Sequence, residues 1–425
     1  MKYFYIETYG CQMNAAQSGQ VKEMLCRSGF IPGEDYRSAD IIIINACSVR
    51  EHAEKKVFDR ISFFQSLKKK RKILLMVIGC FAQNNGEKIN ADLVLGTSRF
   101  HTIPELLSRK IREKYLDLDM EEYLFLPPVH EEQYPFRALV DIMKGCNHYC
   151  SYCIVPFVRG RQISRKSGDI LREVRDLADK GTREIILLGQ NINNFGQDNK
   201  DIGLAELLFH INAIPGIQRI RFLTSHPKDF TNEIIDAVFR NPKVCPSLHL
   251  PVQSGSDRVL GLMNRRYTRE QYLGIIRTIQ SYGKEYSLST DFLVGFPGET
   301  EQDFMETLSL AREVRFDEAF LFKYSPRPNT RASLLKETLT ADEKKERLSH
   351  LIKIQKDIEK EKIKDSLNKE RTVLAEDVSL KNKDQYSGRD ELNHMVVLPG
   401  PVQKGGMVRV RIRQIKGMTL IGEKI

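Results

Sequence analysis

Between Ala138 and Phe322 the chain repeats one pattern six times, a short β-rich run followed by a connecting stretch that is mostly helix-like. The runs are Ala138 to Ile142, Glu184 to Leu188, Arg219 to Leu223, Ser247 to Leu250, Ser287 to Leu293 and Glu318 to Phe322. Helical periodicity fills Ile170 to Lys180, Arg269 to Ser281 and Glu301 to Val314. Strands joined by helical crossovers pair in parallel with right-handed connections, and such a series curls into a barrel whose active face is built from the loops after the strands. Six units predict an open (β/α)6 partial barrel of the TIM type, with room for a large substrate.

The flanking segments differ. Upstream, Tyr3 to Ile6, Ile41 to Ile44 and Ile73 to Ile78 alternate with helix-like Gln17 to Ser28 and Glu51 to Gln65, which predicts a small parallel α/β domain. Glu121 to Pro135, with Pro127-Pro128 and several carboxylates, has the composition of a linker. Ala341 to Glu370 is rich in Lys and Glu, with Leu348, Leu351, Ile352 and Ile358 on one helical face, and so predicts a connector helix. Thr372 to Ile425 turns β-like, with Gly and Pro turns, and predicts a small antiparallel β-barrel. The expected domains are 1–118, 132–364 and 366–425, which suits a chain of 425 residues with 41% hydrophobic content.

A formal net charge of +10 suits a polyanionic partner, although many cytosolic proteins are also basic. The apolar runs are too short to span a bilayer, and Glu7 falls where a signal peptide needs apolar residues. The expectation is a cytoplasmic protein, monomeric and without a membrane partner. In that compartment the eight cysteines are free for metal chemistry rather than disulfides.

Cys146, Cys150 and Cys153 follow the first barrel run in a CxxxCxxC loop. Three thiolates at that spacing can hold a cubane cluster and leave its fourth iron open. The alternative is zinc, for which only His148 offers a fourth ligand from within the loop. Cys11, Cys47 and Cys80 each follow one of the three upstream strands. The ends of parallel strands share one edge, so these thiols can converge where such sheets bind ligands. Gly10, Ala46 and Gly79 beside them leave space for a bulky group, while three buried core cysteines are the plain alternative. Cys26 and Cys245 have no partner spacing. In the last segment Arg409, Arg411 and Arg413 alternate with Val408, Val410 and Ile412, giving a strand with one apolar and one basic face, for phosphate binding or for solvent.

The CxxxCxxC loop opening a six-unit barrel resembles the radical S-adenosylmethionine superfamily. The three-cysteine domain before it and the β-barrel after it resemble the methylthiotransferases, whose three parts are an N-terminal domain, a radical core and a TRAM domain. Tyr9-Gly10-Cys11-Gln12-Met13-Asn14, His249-Leu250-Pro251-Val252-Gln253-Ser254-Gly255-Ser256 and Tyr324-Ser325-Pro326-Arg327-Pro328 are similar to the MiaB-type tRNA methylthiotransferases. Relatives acting on threonylcarbamoyladenosine usually carry Lys where this chain has Gln12. Two positions depart from the pattern, Ala15-Ala16-Gln17 and Asn329, the latter at a turn where Asn tolerates positive φ.

The resemblance implies two 4Fe-4S clusters, one on Cys146, Cys150 and Cys153 and one on Cys11, Cys47 and Cys80. It implies S-adenosylmethionine at the open iron of the first cluster and sulfur carried by the second. The substrate would be N6-isopentenyladenosine beside the tRNA anticodon, methylthiolated at C2. Gly189, Gln190, Asn191, Gln253, Ser254 and Asp291 are the implied cofactor contacts, with loop hinges as the alternative. Arg159, Arg161 and Arg165 can pair with phosphate or the cofactor carboxylate, or lie in a solvated loop. An electron donor and a sulfur donor are required, and the sequence identifies neither. The competing functions are a related enzyme acting on threonylcarbamoyladenosine or on a ribosomal protein side chain, and a non-catalytic cluster or zinc protein that binds RNA.

Overall fold

A run of four isoleucines has no polar side, so it suits a strand covered on both faces. In the computed structural model, which describes residues 2–48, 51–109, 113–121, 123–131, 134–379 and 382–425, the strand Ile41–Ala46 is buried along its whole length. It belongs to a six-stranded sheet in the order Ile31–Pro32, Tyr3–Tyr9, Ile41–Ala46, Leu74–Ile78, Leu93–Leu95, Tyr115–Asp117. All its pairings are parallel. The three expected strands lie side by side in the middle, and three short strands extend the sheet beyond the expectation. Val57, Phe64 and Phe81 pack on one face, Val21, Leu25 and Leu106 on the other.

The six barrel runs all form strands. Tyr134–Asp141, Glu184–Leu188 and Arg219–Phe222 pair in parallel, as do Ser247–His249, Ser287–Val294 and Glu318–Lys323. A parallel bridge between Ile220 and Val244 marks the seam between the two groups. The helices Arg269–Ser281 and Glu301–Val314 begin where Thr268 with Gln271 and Thr300 with Asp303 form reciprocal capping boxes. One element differs from expectation. Within the stretch read as a linker, Val129–Glu131 pairs antiparallel with Tyr134–Asp141 and adds a strand to the sheet. The expected domain starts at residues 1 and 132 lie outside the described residues.

The helix Ala341–Lys362 buries Leu351 in the barrel's core and Leu348 beside it, as its apolar spacing requires. Beyond it, Glu370–Val378, Gln385–Arg389, Met395–Pro399, Met407–Lys416 and Thr419–Lys424 close into a five-stranded barrel. This small barrel docks on the end of the large one where the strands begin, opposite their C-terminal loops. Nε of Arg137 donates to Glu184 at 2.5 Å and its Nη2 to Glu376 at 2.5 Å. Arg219 donates to the carbonyl of Arg389 at 2.6 Å, Arg221 to that of Asp390 at 2.6 Å, and Ser287 to that of Leu392 at 2.6 Å. Buried charges of this kind hold geometry because an unpaired one is costly. Among the described residues no helix is long and apolar enough to cross a membrane.

Candidate active site

Cys146, Cys150 and Cys153 lie in the loop that leaves the first barrel strand. Gly145 turns that loop at φ 71°, and a Cβ on it would meet the Arg161 carbonyl oxygen at 2.0 Å, so only glycine lets the two segments cross. The N–H of Cys146 donates to the Gly160 carbonyl at 3.2 Å and that of Cys153 to the Cys150 carbonyl at 2.9 Å. Burial pushes the Cys146 thiol up to about 11 and the Cys153 thiol up to about 12, so metal loading must expel protons.

Two N–H groups converge on Cys150. Nη1 of Arg265 donates to its Sγ at 3.4 Å, and Nε2 of His226 lies 3.9 Å away. Nδ1 of His226 accepts the Lys228 N–H at 3.2 Å, which leaves the ring proton on Nε2, facing the sulfur. Burial, reinforced by Arg265, holds the His226 pKa far below its ordinary value, so the ring is neutral. His148 stacks on His226 with centroids 3.9 Å apart and bonds Asp229 at 2.5 Å. His148, His226 and Asp229 bring ligand-type atoms within 4.8 Å of one another. Asp229 engages Nε2 of His148, so only Nδ1 of that ring is left for the zinc alternative. The sequence reasoning missed Arg265, His226 and Asp229. The signal for His226 was its place after the third barrel strand, Arg219–Phe222.

The second triad converges as the parallel sheet requires. Cys11 caps the helix Gln12–Arg27, Cys47 follows Ile41–Ala46, and Cys80 opens the helix Cys80–Asn85. A Cβ on Gly10 would come within 2.3 Å of the Cys47 Cβ. A hydrogen bond from Cys47 pulls the Cys11 thiol down to about 5, with Arg159 adding to the effect, whereas burial raises Cys80. Gly10 and Gly79 allow close backbone approach, to Cys47 and Asn45 respectively, and the donor set is all sulfur, which fits an iron–sulfur cluster.

Arg159 comes from the first cysteine loop but turns its side chain to the second triad. It ends the short helix Val155–Arg159 that follows Cys153, and its Nε donates to the Cys80 Sγ at 3.1 Å. Arg165 instead pairs with Glu173, and Arg161 is exposed. The phosphate or carboxylate role expected for Arg159 and Arg165 therefore gives way to contacts within the chain.

The expected cofactor residues gather at the same end of the barrel. Gly189, Gln190 and Asn191 follow Glu184–Leu188, and Oε1 of Gln190 accepts the Gly145 N–H at 2.5 Å. Asn191 donates to Asp229 at 2.6 Å, while its buried Oδ1 has no partner among the described residues. Gln253 adopts φ 72° and exchanges backbone hydrogen bonds with Asp291 and Leu293. Ser254 bonds Thr307 at 3.3 Å, and Asp291, within its strand, lies 3.6 Å from His249. An orphaned amide oxygen one loop from the three cysteines is a fit for a polar cofactor. The three arginines of the last barrel share an exposed edge, but Arg409 and Arg411 both pair with Glu370 at 2.7 Å, and Arg413 pairs with Glu423 at 2.7 Å.

Residues 140–311 match the radical SAM superfamily and residues 3–96 the Uncharacterized protein family UPF0004. The tRNA-2-methylthio-N(6)-dimethylallyladenosine synthase of Geotalea uraniireducens is 43% identical, over 99% of this chain and 98% of its own. That of Thermoanaerobacter pseudethanolicus is 42% identical, over 100% of this chain and 93% of its own. Among solved structures, the radical S-adenosylmethionine methyltransferase TsrM from Kitasatospora setae superposes with a TM-score of 0.57 at 14% identity, covering 79% of this chain and 75% of that one. The cobalamin-dependent S-adenosylmethionine radical enzyme OxsB gives 0.53 at 12% identity, over 85% of this chain and 56% of that one. At such identities the likeness is one of fold.

Proposed function

Because this chain belongs to the family of tRNA-2-methylthio-N(6)-dimethylallyladenosine synthases, we propose that it methylthiolates C2 of N6-isopentenyladenosine beside the tRNA anticodon. It is a radical S-adenosylmethionine enzyme and a transferase of a sulfur-containing group. When bound, a 4Fe-4S cluster with S-adenosylmethionine supplies the radical chemistry at C2, and a second cluster supplies the sulfur.

The residues divide the work. Cys146, Cys150 and Cys153 hold the first cluster, with Arg265 and His226 directing N–H groups at the Cys150 sulfur. Cys11, Cys47 and Cys80 hold the second on the sheet edge, where Gly10 lets the Cys11 and Cys47 segments approach closely. Gly189, Gln190 and Asn191 orient the cofactor, with Gln253, Ser254 and Asp291 lining the next loops. The C-terminal barrel, read as a TRAM domain, binds RNA through the edge bearing Arg409, Arg411 and Arg413. Because that barrel docks on the far end of the strands, the bound tRNA must reach round the large barrel to present its base. The chain works as a cytoplasmic monomer supplied by separate electron and sulfur donors.

The observation that carries this proposal is that each cysteine triad sits at parallel strand ends and that Arg159, from the helix after Cys153, donates to Cys80 of the other triad. Mass analysis of tRNA nucleosides tests it. Cells lacking the protein should lose the methylthio adenosine and accumulate its isopentenyl precursor, and the wild-type gene should restore it. Loss of a methylthio threonylcarbamoyladenosine instead would favour the related substrate.

A further inference from the structure

A guanidinium taken out of water needs a counter-charge; no carboxylate pairs directly with Arg159, and the buried Asp141 acts on it only from beyond ion-pair distance. The residue is only 5% exposed. Among the described residues no carboxylate lies at ion-pair distance; its side-chain donors go to the Cys80 Sγ at 3.1 Å and to Gln17 Oε1 at 3.3 Å. The other two sulfurs of that triad, on Cys11 and Cys47, also face its charge. The backbone on either side of it is tied to both domains. Gly160 accepts the Cys146 N–H, and the carbonyl of Val158 accepts the Thr97 hydroxyl at 2.7 Å. Ile154 and Val158 pack directly on Cys80.

We infer that Arg159 is a positioning residue for the N-terminal cluster, lent by the radical loop: its charge balances the anionic thiolate shell of Cys11, Cys47 and Cys80. The inference rests on the two-cluster proposal. A cubane dication on three thiolates carries a net negative charge, which grows by one on reduction. A fixed cation donating to one of those sulfurs stabilises the reduced form more and raises the midpoint potential. The same side chain ties the position of the sulfur-bearing cluster to that of the radical loop. A fork with donors on two sides suits Arg better than Lys for position, whereas either supplies the charge.

The experiment uses the full chain carrying Cys146→Ala, Cys150→Ala and Cys153→Ala, reconstituted anaerobically, so that only the N-terminal cluster titrates. Arg159→Met should lower the reduced-to-oxidised ratio at a fixed applied potential at least tenfold, ~59 mV for a one-electron couple. Arg159→Lys should restore it to within about threefold, which a merely structural role would not produce. Arg159→Gln, neutral but polar, replaces the Met variant if that chain does not hold its iron, and should behave as Met does. A bound cluster whose ratio is unmoved by Met or Gln, or not restored by Lys, overturns the inference alone. A folded chain of this background that binds no iron overturns the two-cluster proposal and this inference with it.

Discussion

Nη1 of Arg265 donates to the Sγ of Cys150 across 3.4 Å, while Nη2 of the same fork donates to the Pro251 carbonyl at 2.6 Å. One buried side chain thus joins the cluster loop to the loop after the fourth barrel strand. Its Nε also donates to the Tyr267 hydroxyl at 3.1 Å. Lys offers one point donor where three directions are needed. Arg265→Lys should therefore strand a buried acceptor and cost ~1 to 3 kcal/mol. Denaturant unfolding of the variant against the wild type measures it, and an equal midpoint and slope would mean that the fork is dispensable.

Asp141 gives the chain a pH dependence. It ends the strand Tyr134–Asp141; burial pushes its carboxyl up to about 6, against the lowering influence of Arg159 and Gln20. Its Oδ1 has no partner among the described residues. A raised carboxyl pKa means that the folded chain binds a proton which the unfolded chain releases near pH 4, so stability falls between about 4 and 6 and is level above. The loss amounts to ~3 kcal/mol at neutral pH. Asp141→Asn should be more stable than the wild type at pH 7.5, with the gain vanishing at pH 4. Denaturant midpoints at the two pH values check it, and a gain independent of pH would assign the effect to packing.

The paired arginines of the last barrel make the sign of a charge mutation informative. Glu370 holds both Arg409 and Arg411. If those arginines meet phosphate, Glu370→Gln frees them, and tRNA should bind more tightly with a steeper salt dependence. Each additional phosphate neutralised steepens the log–log slope by ~0.7 to 0.9. Replacing Arg409, Arg411 and Arg413 by alanine should flatten it. Binding titrations over a range of salt read both, and unchanged slopes in folded variants would place the RNA surface elsewhere.

What the sequence made legible was local. Glu184–Leu188, Arg269–Ser281 and Glu301–Val314 have the bounds that periodicity and capping imply. Asn329 takes positive φ, as its turn requires. Convergence of Cys11, Cys47 and Cys80 followed from parallel strands sharing an edge. What stayed hidden depends on contacts far apart in sequence. Arg265 reaches Cys150 across 115 positions, Arg159 reaches Cys80 across 79, and Arg137 reaches Glu376 across 239. No periodicity encodes those meetings. The strand Val129–Glu131 was hidden for another reason, since Pro127-Pro128 and carboxylates mask a three-residue edge strand that only its partner defines.

The two triads should fail differently when broken. Cys150 lies on the first barrel loop beside the expected cofactor residues, whereas Cys80 opens a helix on the other sheet and meets that loop through Arg159. If the first triad generates the radical, Cys150→Ala should abolish reductive cleavage of S-adenosylmethionine and every later product. If the second only carries sulfur, Cys80→Ala should still release 5′-deoxyadenosine while transferring no methylthio group. Cys80→Ala also removes the acceptor of a buried guanidinium, so some loss of stability accompanies it, and circular dichroism must match the wild type before the products are compared. Iron analysis of the wild type should find about eight irons, two four-iron clusters, and each variant about four. Methylthiolated tRNA from a folded Cys80→Ala chain with four irons would mean that the sulfur does not come from the N-terminal triad.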